Sequence, residues 1–163
     1  MVVAVERAGV GDIALVADLA RSIWFEHYPA IISWAQIHYM LERGYATDVI
    51  AGELERGVEW RIASVDRTPR GFAAWEAFGT AIKLHKLYVE RAARGQGVGK
   101  RLVTAAAEAA QRIGVREICL AVNKRNHGAI RAYLALGFSF RRAVRADIGH
   151  GFVMDDYVMV RPV

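Results

Sequence analysis

Residues 84–101, LHKLYVERAARGQGVGKR, run from an alternating apolar stretch through an arginine and glycine loop into a helical pattern. Gly95, Gly97 and Gly99 alternate, so the backbone there lacks side-chain walls and can approach a ligand closely. Val98, Leu102, Ala105, Ala106, Ala109 and Ile113 then recur at helical spacing, which places the loop at a helix N-terminus. Free N–H groups and the positive end of the helix dipole meet at such an end and favour an anion. Arg91, Arg94, Lys100 and Arg101 add charge around it.

Composition bounds what surrounds this stretch. A chain of 163 residues, 54% hydrophobic and 24% charged, is long enough to bury a core without staples and reads as one globular domain over residues 1–163. No apolar run reaches the roughly 20 residues of a membrane span, and the N-terminus lacks the basic-then-apolar layout of a signal peptide. A cytoplasmic protein without a membrane partner is expected. The lone Cys119 allows no internal disulfide and, within the apolar run Ile118 to Val122, reads as a small buried hydrophobe. A net charge of +5 raises the question of nucleic acid, but the arginines are scattered and no aromatic-studded basic strand or arm accompanies them. Arg141, Arg142 and Arg145 are expected on a solvated basic face.

Periodicity orders the chain. Val2 to Arg7 alternates as a strand; Asp12 opens a helical pattern that Pro29 ends or redirects, and Ile31 to Leu41 and Thr47 to Glu55 continue as helices. This region is rich in aromatics, Trp24, Phe25 and Tyr28 among them, suited to core packing or to a pocket wall. From Val58 the period becomes two. Val58 to Asp66 and Gly71 to Phe78 flank a turn at Arg67 to Arg70, and after Gly79-Thr80 a third strand spans Ala81 to Glu90. Past the long helix come a short strand from Glu117 to Val122, a helix from Ala129 to Leu136 opened by Asn126, and a left-handed cap at Gly137. Ser139 to Asp147 and Phe152 to Arg161 form a last hairpin about Ile148 to Gly151. The order predicts an α/β fold with a mixed central sheet of about seven strands flanked by helices.

Two common phosphate loops do not fit. A Walker A loop needs glycine where Arg94 stands and Ser or Thr where Arg101 stands, and a dinucleotide fingerprint needs G-x-G-x-x-G where Gly95 to Gly99 reads G-x-G-x-G. Arg94-Gly-Gln-Gly-Val-Gly99 instead resembles the Gln/Arg-x-x-Gly-x-Gly/Ala signature of the GNAT superfamily of acyl-CoA-dependent N-acetyltransferases. His85 to Val89 looks like that family's central strand, and Asn123, Asn126, Tyr133 and Gly137-Phe138 look like its second conserved block. The resemblance implies acetyl-CoA as acyl donor, held by Arg94, Gly95, Gln96, Gly97, Val98, Gly99 and Lys100 at its phosphates. It implies pantetheine contacts from Asn123, Asn126 and Tyr133, and backbone N–H groups of Leu87, Tyr88 and Val89 at the thioester oxygen. It further implies that the strands Ala81–Glu90 and Glu117–Val122 splay to admit the cofactor.

Acetyl transfer to an amine needs a proton acceptor, oxyanion stabilisation and a proton for the departing thiolate. By the resemblance Tyr133, four residues before Gly137-Phe138, is the acid. For the base, the position where many relatives carry glutamate is Lys83, and His85 lies two residues on with a suitable pKa. Glu26, His27, Glu76 and the pair Asp155-Asp156 are the alternatives. No metal site is expected, since the five histidines lack His-x-x-x-His spacing. The chain looks most like bacterial members acting on polyamines or other small molecules, so a small-molecule primary amine is the expected partner. Acetylation of protein N-termini or lysines, and a non-catalytic acyl-CoA-binding module, are the rivals. The last hairpin or a sheet edge would serve a homodimer.

Overall fold

Each stretch with period two becomes a strand of one sheet in the computed structural model, which describes residues 1–163. The strands are β1 (Val3–Arg7), β2 (Glu59–Val65), β3 (Thr68–Phe78), β4 (Ala81–Val89), β5 (Glu117–Asn123), β6 (Ser139–Gly149) and β7 (Phe152–Pro162). The helices are α1 (Ile13–His27), α2 (Trp34–Tyr45), α3 (Thr47–Glu55), α4 (Val98–Ile113) and α5 (His127–Ala135). Strand order is β1-β2-β3-β4-β5-β7-β6, with β4 and β5 the parallel pair in an otherwise antiparallel sheet. The expected mixed seven-stranded α/β architecture is present, and no helix is long and apolar enough to cross a membrane.

Each sheet face buries its own core. On one, Leu102, Val103, Ala106 and Ala110 of α4 meet Ile82, Leu84, Ile118 and Leu120; the many alanines let this helix lie close to the strands. On the other, α1 to α3 bring Val16, Ile23, Trp24, Ile37, Tyr45 and Ile50 onto Trp60, Phe72 and Ala74. Of the aromatics of the N-terminal region, Trp24, Tyr28 and Tyr45 are core residues, Phe25 is partly buried and Trp34 is exposed, and Trp24 and Tyr28 also line the cavity described below.

Two local features of β4 build the site. First, Ala81–Lys83 pair with Glu117–Cys119 and the pairing then stops, so from Leu84 onward the edge of β4 facing β5 has no strand partner. The splay implied by the resemblance is thus present. Second, Trp75 pairs with Leu84 while Ala74 pairs with Lys86, which leaves His85 as a bulge. An extra residue shifts the two-residue alternation by one. Ile82 and Leu84 point to the α4 core before it, Leu87 and Val89 after it, and Lys86 and Tyr88 are turned toward α1 to α3.

Some boundaries differ from the expectation. The β2–β3 turn is the two-residue Asp66-Arg67, both at positive φ of 47° and 69°, and Thr68 and Pro69 already belong to β3. This twist matches a tight hairpin, and the Asp66 carboxylate accepts from Val2 N–H at 2.8 Å. Helix α2 begins at Trp34 because the Ser33 hydroxyl caps it, accepting from Gln36 N–H. Asp12 accepts from Gly9 N–H at 2.9 Å and does not cap α1 with its side chain. Ile113, expected on the buried stripe of α4, is 55% exposed at its last turn.

Candidate active site

The splay opens a cavity of 1010 Å³ that runs from the α4 N-terminus, between β4 and β5, to a wall formed by α1, α2 and α3. At its first end, Gly95 and Gly97 have φ of 77° and 81°, and α4 starts at Val98. The first backbone bond of the helix is from Arg101 N–H to Gly97 O, so the N–H groups from Gly95 to Lys100 have no intramolecular acceptor. A Cβ built on Gly95, Gly97 or Gly99 meets nothing within 4 Å, so the loop is an open cradle. These features fit a pyrophosphate. Lys100 is exposed beside it, and Gln96 is tied to Ala92 O at 3.2 Å.

Arg94 is exposed, yet its guanidinium is tied to the protein. Its Nε–H donates to Val89 O at 3.1 Å and its Nη2 lies 3.4 Å from His27 Nδ1, while His27 Nε2 lies 3.0 Å from Asn126 Oδ1. Since guanidinium only donates and an amide oxygen only accepts, the two bonds specify neutral His27 with its proton on Nε2. Burial, followed by the Arg94 and Arg91 charges, lowers the pKa of His27 against the raising effect of Asn126. The bonds from Arg94 to His27 and from His27 to Asn126 join the glycine loop to the C-terminal end of α1 and the start of α5. Neither this network nor the role of His27 in it was readable from the sequence, because its partners are 67 and 99 residues away.

Asn126 is 5% exposed and caps α5, accepting from Ala129 N–H at 3.4 Å, so its oxygen serves both the helix and His27. Asn123 fixes the turn after β5 by accepting from Arg125 N–H at 2.9 Å. Tyr133 is held by the end of α5. Phe138 N–H bonds to Tyr133 O and Gly137 N–H to Leu134 O, Gly137 has φ of 92°, and the Phe138 ring meets the Tyr133 ring at 5.6 Å. This is a Schellman ending with its hydrophobic contact, and it gives the four-residue spacing from Tyr133 to Gly137 a structural cause. The Tyr133 hydroxyl lines the cavity without an intramolecular hydrogen bond, and burial raises its pKa, so it stays protonated at neutral pH.

Tyr28 and Tyr88 approach from α1 and β4 with their hydroxyls 3.0 Å apart. Burial pushes Tyr28 up to about 12. The carboxyl candidates separate cleanly. Asp155 pairs with Lys124 at 2.9 Å outside, whereas Asp156, opposite Asn123, is 5% exposed, lines the cavity and has no hydrogen-bond donor. Burial, and then the Asp155 charge, push Asp156 up to about 6, with Lys124 opposing. His85 lines the cavity with its ring bound to Glu76 at 2.8 Å, and Lys83 sits over the Phe78 ring. Glu26 is engaged outside, 3.5 Å from Arg91. Cys119 is half-buried with its thiol pKa raised by burial, in keeping with a packing residue.

The Acetyltransferase (GNAT) family model matches residues 15–138, more than half of the chain. The chain belongs to the GNAT acetyltransferase family. An uncharacterized N-acetyltransferase of Methanocaldococcus jannaschii is 31% identical over 91 residues, covering 52% of this chain and 40% of that protein's length. Among solved structures, PaiA N-acetyltransferase of Thermoplasma acidophilum in complex with coenzyme A superposes with a TM-score of 0.87 over 100% of both chains at 21% identity. A GCN5-related N-acetyltransferase of Rhodopseudomonas palustris gives 0.83 over 100% of this chain and 99% of the other at 20% identity. At these identities the superpositions show the shared fold.

Proposed function

We propose that this protein transfers the acetyl group of acetyl-CoA directly to a primary amine of a small molecule. The observation that carries the reading is the meeting, in one cavity, of an open N–H cradle, a free tyrosine hydroxyl and a buried carboxylate without a donor. Residues Gly95 to Lys100 hold the cofactor phosphates, with Arg94 at the edge, and the unpaired edge of β4 receives the pantetheine arm. Asn123 and Asn126 flank that arm from the opposite side of the splay. Acetyl-CoA supplies an activated thioester.

The protein's own groups then meet the three chemical demands. An alkylamine has a pKa of about 10 and arrives as ammonium. Asp156, ionised above about pH 6, binds that ammonium and takes its proton. The N–H groups of Leu87 and Val89, on the unpaired edge of β4, face the oxygen that gains charge, while that of Tyr88 is directed to β3; the Tyr133 hydroxyl donates to the departing sulfur. His85 is the other group able to take a proton, but it is exposed, with its ring bound to Glu76, whereas Asp156 lies 5% exposed within the cavity and has no partner. For this reason Asp156 is the base.

The test is release of free CoA thiol from acetyl-CoA with a panel of alkylamines, arylalkylamines, diamines, amino acids and N-terminal peptides. Turnover with small amines, lowered 10²-fold or more in Tyr133→Phe while cofactor affinity holds, is expected. Turnover with peptides alone would replace the acceptor class, and no binding of acetyl-CoA would overturn the reading.

A further inference from the structure

At the inner end of the cavity, away from the α4 cradle, Lys86 fills a recess shaped for an alkylammonium ion. Its Nζ lies 4.4 Å from the Trp60 ring centroid and 4.6 Å from that of Tyr45, within the range of cation–π attraction. Gly44 O accepts from it at 2.7 Å, and both Glu53 oxygens lie at 3.4 Å. Trp60 Nε1–H donates to Glu53 at 3.0 Å and holds that carboxylate in place. Two aromatic faces, a carbonyl and a carboxylate thus surround one nitrogen. Lys86, Glu53, Gly44 and Tyr45 all line the same cavity as Asp156.

The His85 bulge is the reason the lysine is there. Without the extra residue, the alternation that points Ile82 and Leu84 at α4 would send residue 86 the same way. With it, Lys86 emerges on the acceptor side and places a fixed positive charge under the pocket. Burial lowers its pKa while Glu53 opposes that shift. The same cavity is lined by the apolar side chains of Trp24, Ile32 and Met40, with Gln36 and Arg43 of α2 beside them.

We propose that Lys86 sets the charge of the acceptor: it occupies the ammonium recess with the protein's own amine and so excludes acceptors bearing a second positive charge. The preferred substrates are monoamines with an uncharged, apolar tail. An acceptor would place its reacting ammonium at Asp156 and its tail along the apolar walls. A distal ammonium, as in a diamine or polyamine, would find its cage filled and meet a like charge. The proposal rests on the acetyl-transfer reading above and narrows its substrate class against the polyamine expectation.

The experiment compares kcat/KM for n-butylamine and 1,4-diaminobutane at one pH and ionic strength, using the full-length protein and acetyl-CoA. Wild-type protein is expected to prefer the monoamine at least tenfold. Lys86→Met leaves Glu53 and the two rings free to receive a distal ammonium, and should reduce the preference at least fivefold; Lys86→Gln, which keeps a polar head, is the second variant. Equal or better use of the diamine by wild type overturns the proposal even if neither variant folds. An unchanged preference in a folded variant overturns it too. No turnover with either amine, with turnover on peptides, would instead remove the acetyl-transfer reading on small amines.

Discussion

Asp156 carries a stability cost that its proposed role explains. A buried carboxylate without a donor disfavours its charged form, and here burial pushes the group up to about 6 from 3.8. With its folded pKa raised, the stability contribution of Asp156 is fully present below about pH 4 and is lost as pH rises through about 6. At pH 7.5 the charged group is therefore a net penalty. Asp156→Asn should stabilise the fold by about 1–3 kcal/mol at that pH and much less at pH 4, while lowering turnover 10²-fold or more. Thermal melts at the two pH values check the first part, and an unchanged melting temperature at pH 7.5 would contradict it. Within the sequence, Asp155 and Asp156 are indistinguishable. Which one faces inward follows from the pairing of Asn123 with Asp156, a long-range register that a local pattern does not hold. The place of Tyr133 beside the cavity was legible because its spacing to Gly137-Phe138 is set locally, by the end of its own helix.

Among the elements, α4 was the most legible, with its Val98–Ile113 limits following from the spacing of its apolar stripe. Its loop makes a direct prediction. Gly97 holds φ of 81° in the middle of the N–H cradle, and alanine there would cost about 1–2 kcal/mol in backbone strain and tilt the donors. Gly97→Ala should weaken coenzyme A binding tenfold or more by calorimetry; unchanged affinity would place the phosphates elsewhere. The β4 bulge, by contrast, was invisible. A single inserted residue leaves composition and apolar content untouched, yet it decides that Lys86 and Tyr88 face the acceptor side. The tip of the β6–β7 hairpin gives a second case. Tyr39 and Arg43 of α2 both donate to Ile148 O, and the Tyr39 ring packs on Phe152 and His150. These contacts join β7, and with it Met154 and Asp156, to the acceptor wall. Tyr39→Phe removes one hydrogen bond of about 0.5–1.5 kcal/mol and should raise KM for the amine more than KM for acetyl-CoA. Steady-state kinetics with each substrate varied in turn would show the split, and equal changes in both would contradict it.

At the scale of the molecule, one sheet does two jobs because its middle is only partly zipped. Three residue pairs join β4 to β5, and beyond them the strands part to form the cavity. The element order predicts the sheet, but no local pattern marks where pairing stops, and the residues that line the gap, Tyr28, Tyr88 and Tyr133 among them, come from three separate elements. The splay was therefore expected only through the family resemblance. The Arg94–His27–Asn126 bonds then tie the two sides of the opening together. Proton transfer from a bound ammonium to the buried Asp156 is the claim on which the site assignment turns, and the pH dependence of kcat/KM for a monoamine tests it most directly. Asp156 faces Asn123, Asn126 and Tyr28 inside, with Asp155 and Lys124 behind it, and burial pushes its carboxyl up to about 6. If the ammonium binds ionised Asp156, kcat/KM is level between about pH 7 and 9 and falls tenfold per unit below about 6, and Asp156→Asn removes that limb along with most of the rate. A wild-type profile without the limb, or an Asp156→Asn variant that retains both limb and rate, would contradict the assignment.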